Sequence, residues 1–107
     1  MKYVVKYSPL ALKDLYKLDN SCRQLVLKAI KKVSQNPLPD YEGGYGKPLG
    51  RKGNTDLTGY LKIKLRNKGI RVVYKLIRVD SIMYIIVIGA RQDDEEYEIA
   101  ARRNRIK

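Results

Sequence analysis

Residues 60–79, YLKIKLRNKGIRVVYKLIRV, constrain this chain more than any other stretch, because two alternating runs flank a turn. Successive side chains of a strand point to opposite faces. Leu61, Ile63 and Leu65 therefore point one way, and Tyr60, Lys62, Lys64 and Arg66 the other. The apolar row needs a covering layer. The cationic row then lies on the open side of a stiff floor, which suits it to gripping phosphates. The turn falls near Asn67-Lys68-Gly69. If it holds the four residues 67–70, Arg66 faces Arg71 and Arg71 shares the lysine face. If it holds three, with Gly69 left-handed, Arg71 changes face. The four-residue turn is favoured, because it also gathers Val72, Tyr74 and Leu76 on the apolar side.

Charge sets the class of partner. The 23 Lys plus Arg against 11 Asp plus Glu give a net charge of +12 over 107 residues, more than solubility requires. Nucleic acid, an acidic protein and an anionic membrane surface all answer to that charge. The membrane fits least, since no basic amphipathic helix carries the charge and no apolar run approaches the ~20 residues of a spanning helix. The chain has no histidine, so any proton transfer falls to other groups. Residues 1–107 are expected to form one domain that buries roughly two-thirds of its unfolded surface and needs no metal or disulfide to fold. Cys22 has no internal partner. The N-terminus MKYVVKYSPLAL is too short and polar for a secretion signal, so a cytoplasmic location is expected.

Along the chain, residues 2–7 read as a strand. Ser8 is an N-cap with Pro9 at the first helical position of a helix running to about Leu18, whose core contacts are Leu10, Leu15 and Leu18. Ser21 and Gln24 form a capping box for a second helix with the apolar stripe Leu25, Val26, Ala29, Ile30 and Val33, ended by Asn36-Pro37. The two make an antiparallel helical hairpin. Residues 38–59, rich in Gly and Pro, read as a mobile surface loop. The run 82–88 is apolar on both faces and reads as the buried central strand. Asp93 with Glu96 caps a final helix to about Arg105. The fold class is α+β: an N-terminal strand, a helical hairpin, an antiparallel sheet of about four strands and a C-terminal helix.

The segments YSPLALKDLYKL, KPLG, LKIKLRNKGIRVVYKL and IGARQDDEEYEIAARR span nearly the whole chain. Through them it resembles a RelE-type toxin of the RelE/ParE superfamily, the toxin half of bacterial toxin–antitoxin pairs. In the RelE branch the cleft is made by two lysines two apart on a strand, an arginine just after the hairpin turn, an arginine following a strand-end glycine, and a tyrosine six residues later. Here those positions are Lys62, Lys64, Arg71, Arg91 and Tyr97. The resemblance implies a RelE-like microbial-RNase-type fold and a ribosome-dependent endoribonuclease that cuts messenger RNA in the decoding site. It implies no metal or cofactor, and a RelB-like antitoxin that holds the toxin inactive. The cut would proceed by attack of a 2′-hydroxyl on the adjacent phosphate. A lysine titrating near ~10.4 is a poor base at neutral pH, but like charges nearby disfavour its protonated form. On this reading Lys64, aided by Lys62 and the Tyr97 hydroxyl, activates the 2′-hydroxyl, Arg71 braces the phosphate oxygens and Arg91 serves the leaving group. Lys47, Arg51, Lys52, Arg66, Lys68 and Lys75 are the candidate RNA or ribosome contacts.

The chain departs from the pattern twice. Ala90 stands where many relatives carry a second basic residue, and RKGNTD (51–56) is an added segment. Each site residue also has a plainer reading. Strand lysines guard sheet edges, Arg71 alone is an ordinary solvated strand residue, Tyr97 lines up with Ala100, Ala101 and Asn104 as a packing tyrosine, and Arg91 can pair with Asp93 or Asp94. Their joint occurrence in one order supports the catalytic reading. Three other functions stay open: a ParE-like toxin that inhibits DNA gyrase, which is not expected to need this basic cluster; a non-catalytic nucleic-acid-binding module, which +12 and nine tyrosines would also serve; and a purely structural protein-binding role, which so much charge on one sheet face fits least.

Overall fold

The computed structural model describes residues 3–52, 55–65, 69–90 and 102, with the backbone alone at 50–52, 55–58 and 90. β1 (Val4–Tyr7) leads into α1 (Pro9–Lys17) and α2 (Asn20–Val33), followed by β2 (Lys47–Lys52), β3 (Thr55–Leu65), β4 (Ile70–Ile77) and β5 (Ile82–Ala90). The strands form one sheet in the order β1-β5-β4-β3-β2. The expected α+β architecture is present, but the sheet has five strands and is mixed. β2 to β5 pair antiparallel, whereas β1 lies parallel to β5. That pairing is open to β1 because the helices and three strands separate it from β5 in sequence, whereas a tight turn would have forced an antiparallel neighbour.

The helix starts follow from local hydrogen bonding. Ser8 caps α1 as expected, its hydroxyl accepting from the Ala11 amide at 3.1 Å, with Pro9 in the first turn. The cap of α2 is Asp19, not Ser21. The Asp19 carboxylate accepts from the Cys22 amide at 2.8 Å, and Ser21 Oγ donates to the same oxygen at 3.0 Å. A charged acceptor at the positive end of a helix outcompetes a hydroxyl. α2 stops at Val33, with Ser34 as its C-cap, ahead of Asn36-Pro37. Arg23 of α2 closes the end of α1 by donating to the carbonyls of Leu15, Tyr16 and Leu18 at 3.3, 3.3 and 2.8 Å, which answers carbonyls that a helix end leaves unpaired.

The core lies between the helix pair and one face of the sheet. Ala11, Leu15, Val26, Ile30 and Val33 meet Leu61, Val72, Tyr74, Met83, Ile85 and Ile88, with Ile63, Leu65 and Leu76 partly buried against them. Leu10 and Leu25, expected in the core, are exposed. β5 is an interior strand buried on both faces, as its composition requires, although β4 is the middle one. β1 is short, and its pairing with β5 ends at Tyr7↔Ile85. Beyond that point α1 takes over the exposed ladder groups: Ser8 Oγ donates to the Ile86 carbonyl at 3.3 Å, and the Ile88 amide donates to Asp14 Oδ2 at 3.1 Å.

Residues 38–59 are not a structureless loop. They hold a 3₁₀ turn (Asp40–Glu42), all of β2 and the first half of β3. An edge strand tolerates prolines and glycines that a central one would not, and the β2–β3 register shifts between Pro48 and Gly50, so no alternation marks the strand. The segment is pinned from below by Tyr74, whose buried hydroxyl donates to the Pro37 carbonyl at 2.9 Å. It is pinned from the side by Arg78, which donates to both Glu42 carboxylate oxygens at 2.9 and 2.7 Å and so holds that carboxyl below its ordinary pKa. The final helix expected from Asp93 lies outside the described residues except for Arg102, which is helical and exposed.

Candidate functional site

With Leu61 in the core, the alternation of β3 turns Tyr60, Lys62 and Lys64 to the sheet face away from the helices. The hairpin register fixes what stands beside them. Leu65 pairs with Ile70 and Lys64 with Arg71, so the connection is residues 66–69. Its last member, Gly69, has φ +63°, a conformation that side chains seldom adopt. Arg71 therefore shares the lysine face, but it opposes Lys64 and not Arg66. A slip of two residues preserves the face, and only an odd slip would have moved the arginine. Lys62 pairs with Val73 on one side and with Lys47 of β2 on the other. Lys47, Lys62, Lys64 and Arg71 thus form one cationic row across three strands, with directly opposed Cα atoms about 4.5–5.5 Å apart.

Arg71 is 6% exposed, Lys62 is half-buried and Lys64 is exposed. The residue opposite Arg71 on β5 is Gly89, which carries no side chain. Sequence reasoning missed the apolar half of this face. Tyr60, Val73, Ile86 and Val87 form a second buried cluster, with Leu49 and Tyr84 against it. The β4–β5 register shifts between Val73 and Tyr74, which leaves Ile86 as an extra residue beside Val87, as in a β-bulge that sends two neighbours to one side. The unbroken apolar runs 72–74 and 82–88 carried the signal, since a strand apolar at every position must be covered on both faces. At the far end Lys75 pairs with both Tyr60 and Tyr84, its ammonium 5.9 Å from the Tyr84 ring centroid. Cations beside low-dielectric surface attract an anion more strongly than cations surrounded by water. Like charges placed opposite each other repel, and an anion between them would relieve that repulsion.

Of the eleven residues singled out from sequence, the structure brings Lys47, Lys62, Lys64 and Arg71 together and sets Lys75 further along the same face. Arg51 and Lys52 belong to β2, opposite Asp56 and Thr55, and their side chains lie outside the described residues. So do Arg66, Lys68, Arg91 and Tyr97. The strand leading to Arg91 ends with Ala90 opposite Ile70, next to the Arg71 pair. Among the described residues, no three His, Cys, Asp or Glu side chains gather as a metal site, and no helix is long and apolar enough to cross a membrane.

This geometry can be set beside that of known proteins. An Escherichia coli protein provisionally named a RelE-like toxin is 34% identical over 106 residues, covering 98% of this chain and 100% of its own length. The mRNA interferase toxin RelE of E. coli strain K12 is 29% identical over 103 residues, covering 96% of this chain and 98% of that one. The toxin–antitoxin complex RelBE2 of Mycobacterium tuberculosis contains a chain that superposes with a TM-score of 0.68 at 25% identity, over 85% of this chain and 100% of its own. The family model for the ParE toxin of type II toxin–antitoxin system, parDE, matches residues 5–95. That span runs from β1 past the end of β5 and contains every strand of the cationic face, and on it the chain belongs to the ParE toxin family of type II toxin–antitoxin systems, as a RelE-type member.

Proposed function

We propose that this toxin is a ribosome-dependent endoribonuclease that cuts messenger RNA in the ribosomal A site, works in the cytoplasm and is neutralised by a RelB-like antitoxin. The observation that carries the reading is the opposition of Lys64 to the buried Arg71, with Lys62 and Lys47 in the same row. A relative named as an mRNA interferase toxin and a structural neighbour seen in complex with its antitoxin support it.

The chemistry is an internal transfer. The 2′-oxygen forms a bond to phosphorus and the bond to the 5′-oxygen breaks. One proton leaves the 2′-hydroxyl and one reaches the 5′-oxygen, so the products are a cyclic phosphate and a free 5′-hydroxyl. Lys64, with Lys62 and the Tyr97 hydroxyl, orients and deprotonates the nucleophile. Arg71 offers a planar set of N–H donors to the non-bridging oxygens, where negative charge builds up in the transition state. Arg91 stabilises the departing oxygen. Lys47, Arg51, Lys52, Arg66, Lys68 and Lys75 neutralise flanking phosphates.

The ParE description of the matching family model favours a second reading, a toxin that inhibits DNA gyrase. In vitro translation of one defined message, with cut sites mapped by primer extension, separates the two. Ribosome-dependent cuts that vanish in Lys64→Ala and Arg71→Ala are expected. An intact message together with blocked gyrase supercoiling overturns the proposal in favour of the second reading. RNA binding with neither activity overturns both in favour of a non-catalytic binding module.

A further inference from the structure

Resting on the reading that this face grips RNA, we propose that the groove between the end of α2 and the edge of β3 is an adjoining subsite for single-stranded RNA. A base stacks there on Tyr45, and flanking phosphates lie on Lys32 and Lys47.

The groove exists because β2 begins late. Its pairing with β3 reaches no further than Lys47↔Lys62, whereas β3 continues to Leu65. Past Lys62 that edge of β3 therefore runs beyond the reach of β2. The gap beside it has a volume of about 300 Å³, at the lower end of ligand-binding clefts. Lys32 and Val33 from α2, Tyr45 from the preceding loop, and Lys47, Lys62 and Lys64 from the sheet line it. Among the described residues, no carboxylate lines it. Tyr45 is 54% exposed, and the Lys32 ammonium lies 5.8 Å from its ring centroid.

An exposed aromatic ring within a ring of lysines is what a single strand needs, since every base has a face to stack and every linkage has a charge to neutralise. The helix dipole alone accounts for basic residues at Lys31 and Lys32 in the last turn of α2. It does not account for a tyrosine held open beside them. An acidic peptide would use the lysines but has no use for the ring. Lys62 and Lys64 belong to both this groove and the cationic row, so a strand leaving the row can pass over the sheet edge without crossing neutral surface.

The test is fluorescence anisotropy of the full chain with a labelled, uncuttable 2′-O-methyl RNA of about ten nucleotides, a length within the range that such platforms cover. Tyr45→Ala is expected to weaken binding by about 5- to 100-fold and Tyr45→Phe to bind like the parent. Lys32→Gln is expected to lower the salt-dependence slope by about one. Both side chains are on the surface, and thermal melting checks that the variants fold. Unchanged affinity in Tyr45→Ala with an unchanged slope in Lys32→Gln overturns the subsite. So does displacement of the RNA by oligoglutamate at concentrations below those at which unlabelled RNA competes, which would assign the groove to an acidic protein segment. The probe cannot be cut, so the two readings fail separately. Binding lost in Tyr45→Ala while translated message stays intact sinks the nuclease reading alone, and mapped cuts with unaltered binding in both variants sink the subsite alone.

Discussion

Lys64 stands directly across the β3–β4 ladder from Arg71, like charge against like charge, and the arginine of that pair is 6% exposed. Opposed like charges on a sheet cost up to about 1 kcal/mol. On the proposed reading, the opposition of the two cations favours a bound anion. Lys64→Gln is expected to leave the melting temperature unchanged or raise it by a few degrees, while ribosome-dependent cutting falls by about 10²-fold or more. Calorimetry and primer extension on the same preparation test this. A variant that melts lower and cuts like the parent would sink the assignment.

Tyr74 ties the sheet to the segment in front of β2, and its titration exposes that tie. Burial pushes its phenol well above the ordinary range of about 10. A group whose folded pKa is raised contributes stability that is complete below the unfolded value and is lost as pH rises past it. Unfolding free energy from urea titrations should therefore hold from neutrality to about pH 9.5 and then fall. Tyr74→Phe should flatten most of that fall, with the remainder due to Tyr7, whose pKa burial also raises. At pH 7 the same variant strips the Pro37 carbonyl of its donor and should cost about 1–3 kcal/mol.

Gly46 sits against the same hydroxyl. A Cβ at this position would overlap the Tyr74 oxygen and come within 2.5 Å of Leu61 Cδ2. Gly46→Ala is expected to cost about 1–3 kcal/mol through overpacking. In Gly46→Ala/Tyr74→Phe the loss should be less than the sum of the two, because removing the hydroxyl frees one of the two clashing neighbours. Strict additivity in a urea series would show that the two positions do not share the space.

The parts legible in the sequence were those where one local rule governs. The Ser8-Pro9 helix start, the α2 stripe at Val26, Ile30 and Val33, and the alternation in β3 all came through. So did the face of Arg71, because parity survives a slip of two residues in the pairing register. What stayed hidden depends on long-range partners. Asp19 displaced Ser21 as a cap through charge, a preference that the Ser-x-x-Gln pattern masks. β2 showed no period because its edge position relaxes the pattern. The parallel pairing of β1 has no local signature, since its partner lies about 78 residues away, a separation already visible in Val4↔Ile82. The apolar cluster around Val73, Ile86 and Val87 was hinted at by composition, but the bulge that aligns it was not.

Asp14 is the other residue that only the structure reveals, and it makes a test of how the site is held. β1 stops pairing at Ile85, so the Ile88 amide lies beyond the reach of β1 and donates instead to the Asp14 carboxylate at 3.1 Å. A hydrogen bond to a charged acceptor contributes about 1.5–3 kcal/mol. Asp14→Ala should cost that much. Asp14→Asn keeps an acceptor in reach without the charge and should lose about half. Hydrogen exchange gives the local readout. The Ile88 amide should exchange faster in Asp14→Ala, whereas the amides of Met83 and Ile85, within the β1-paired part of β5, should slow or quicken only with global stability. Ile88 precedes Gly89, which lies opposite Arg71, so loosening here reaches the cationic row through the backbone. A uniform change across all of β5 would show that Asp14 acts on the fold as a whole and has no particular hold on this end of the strand.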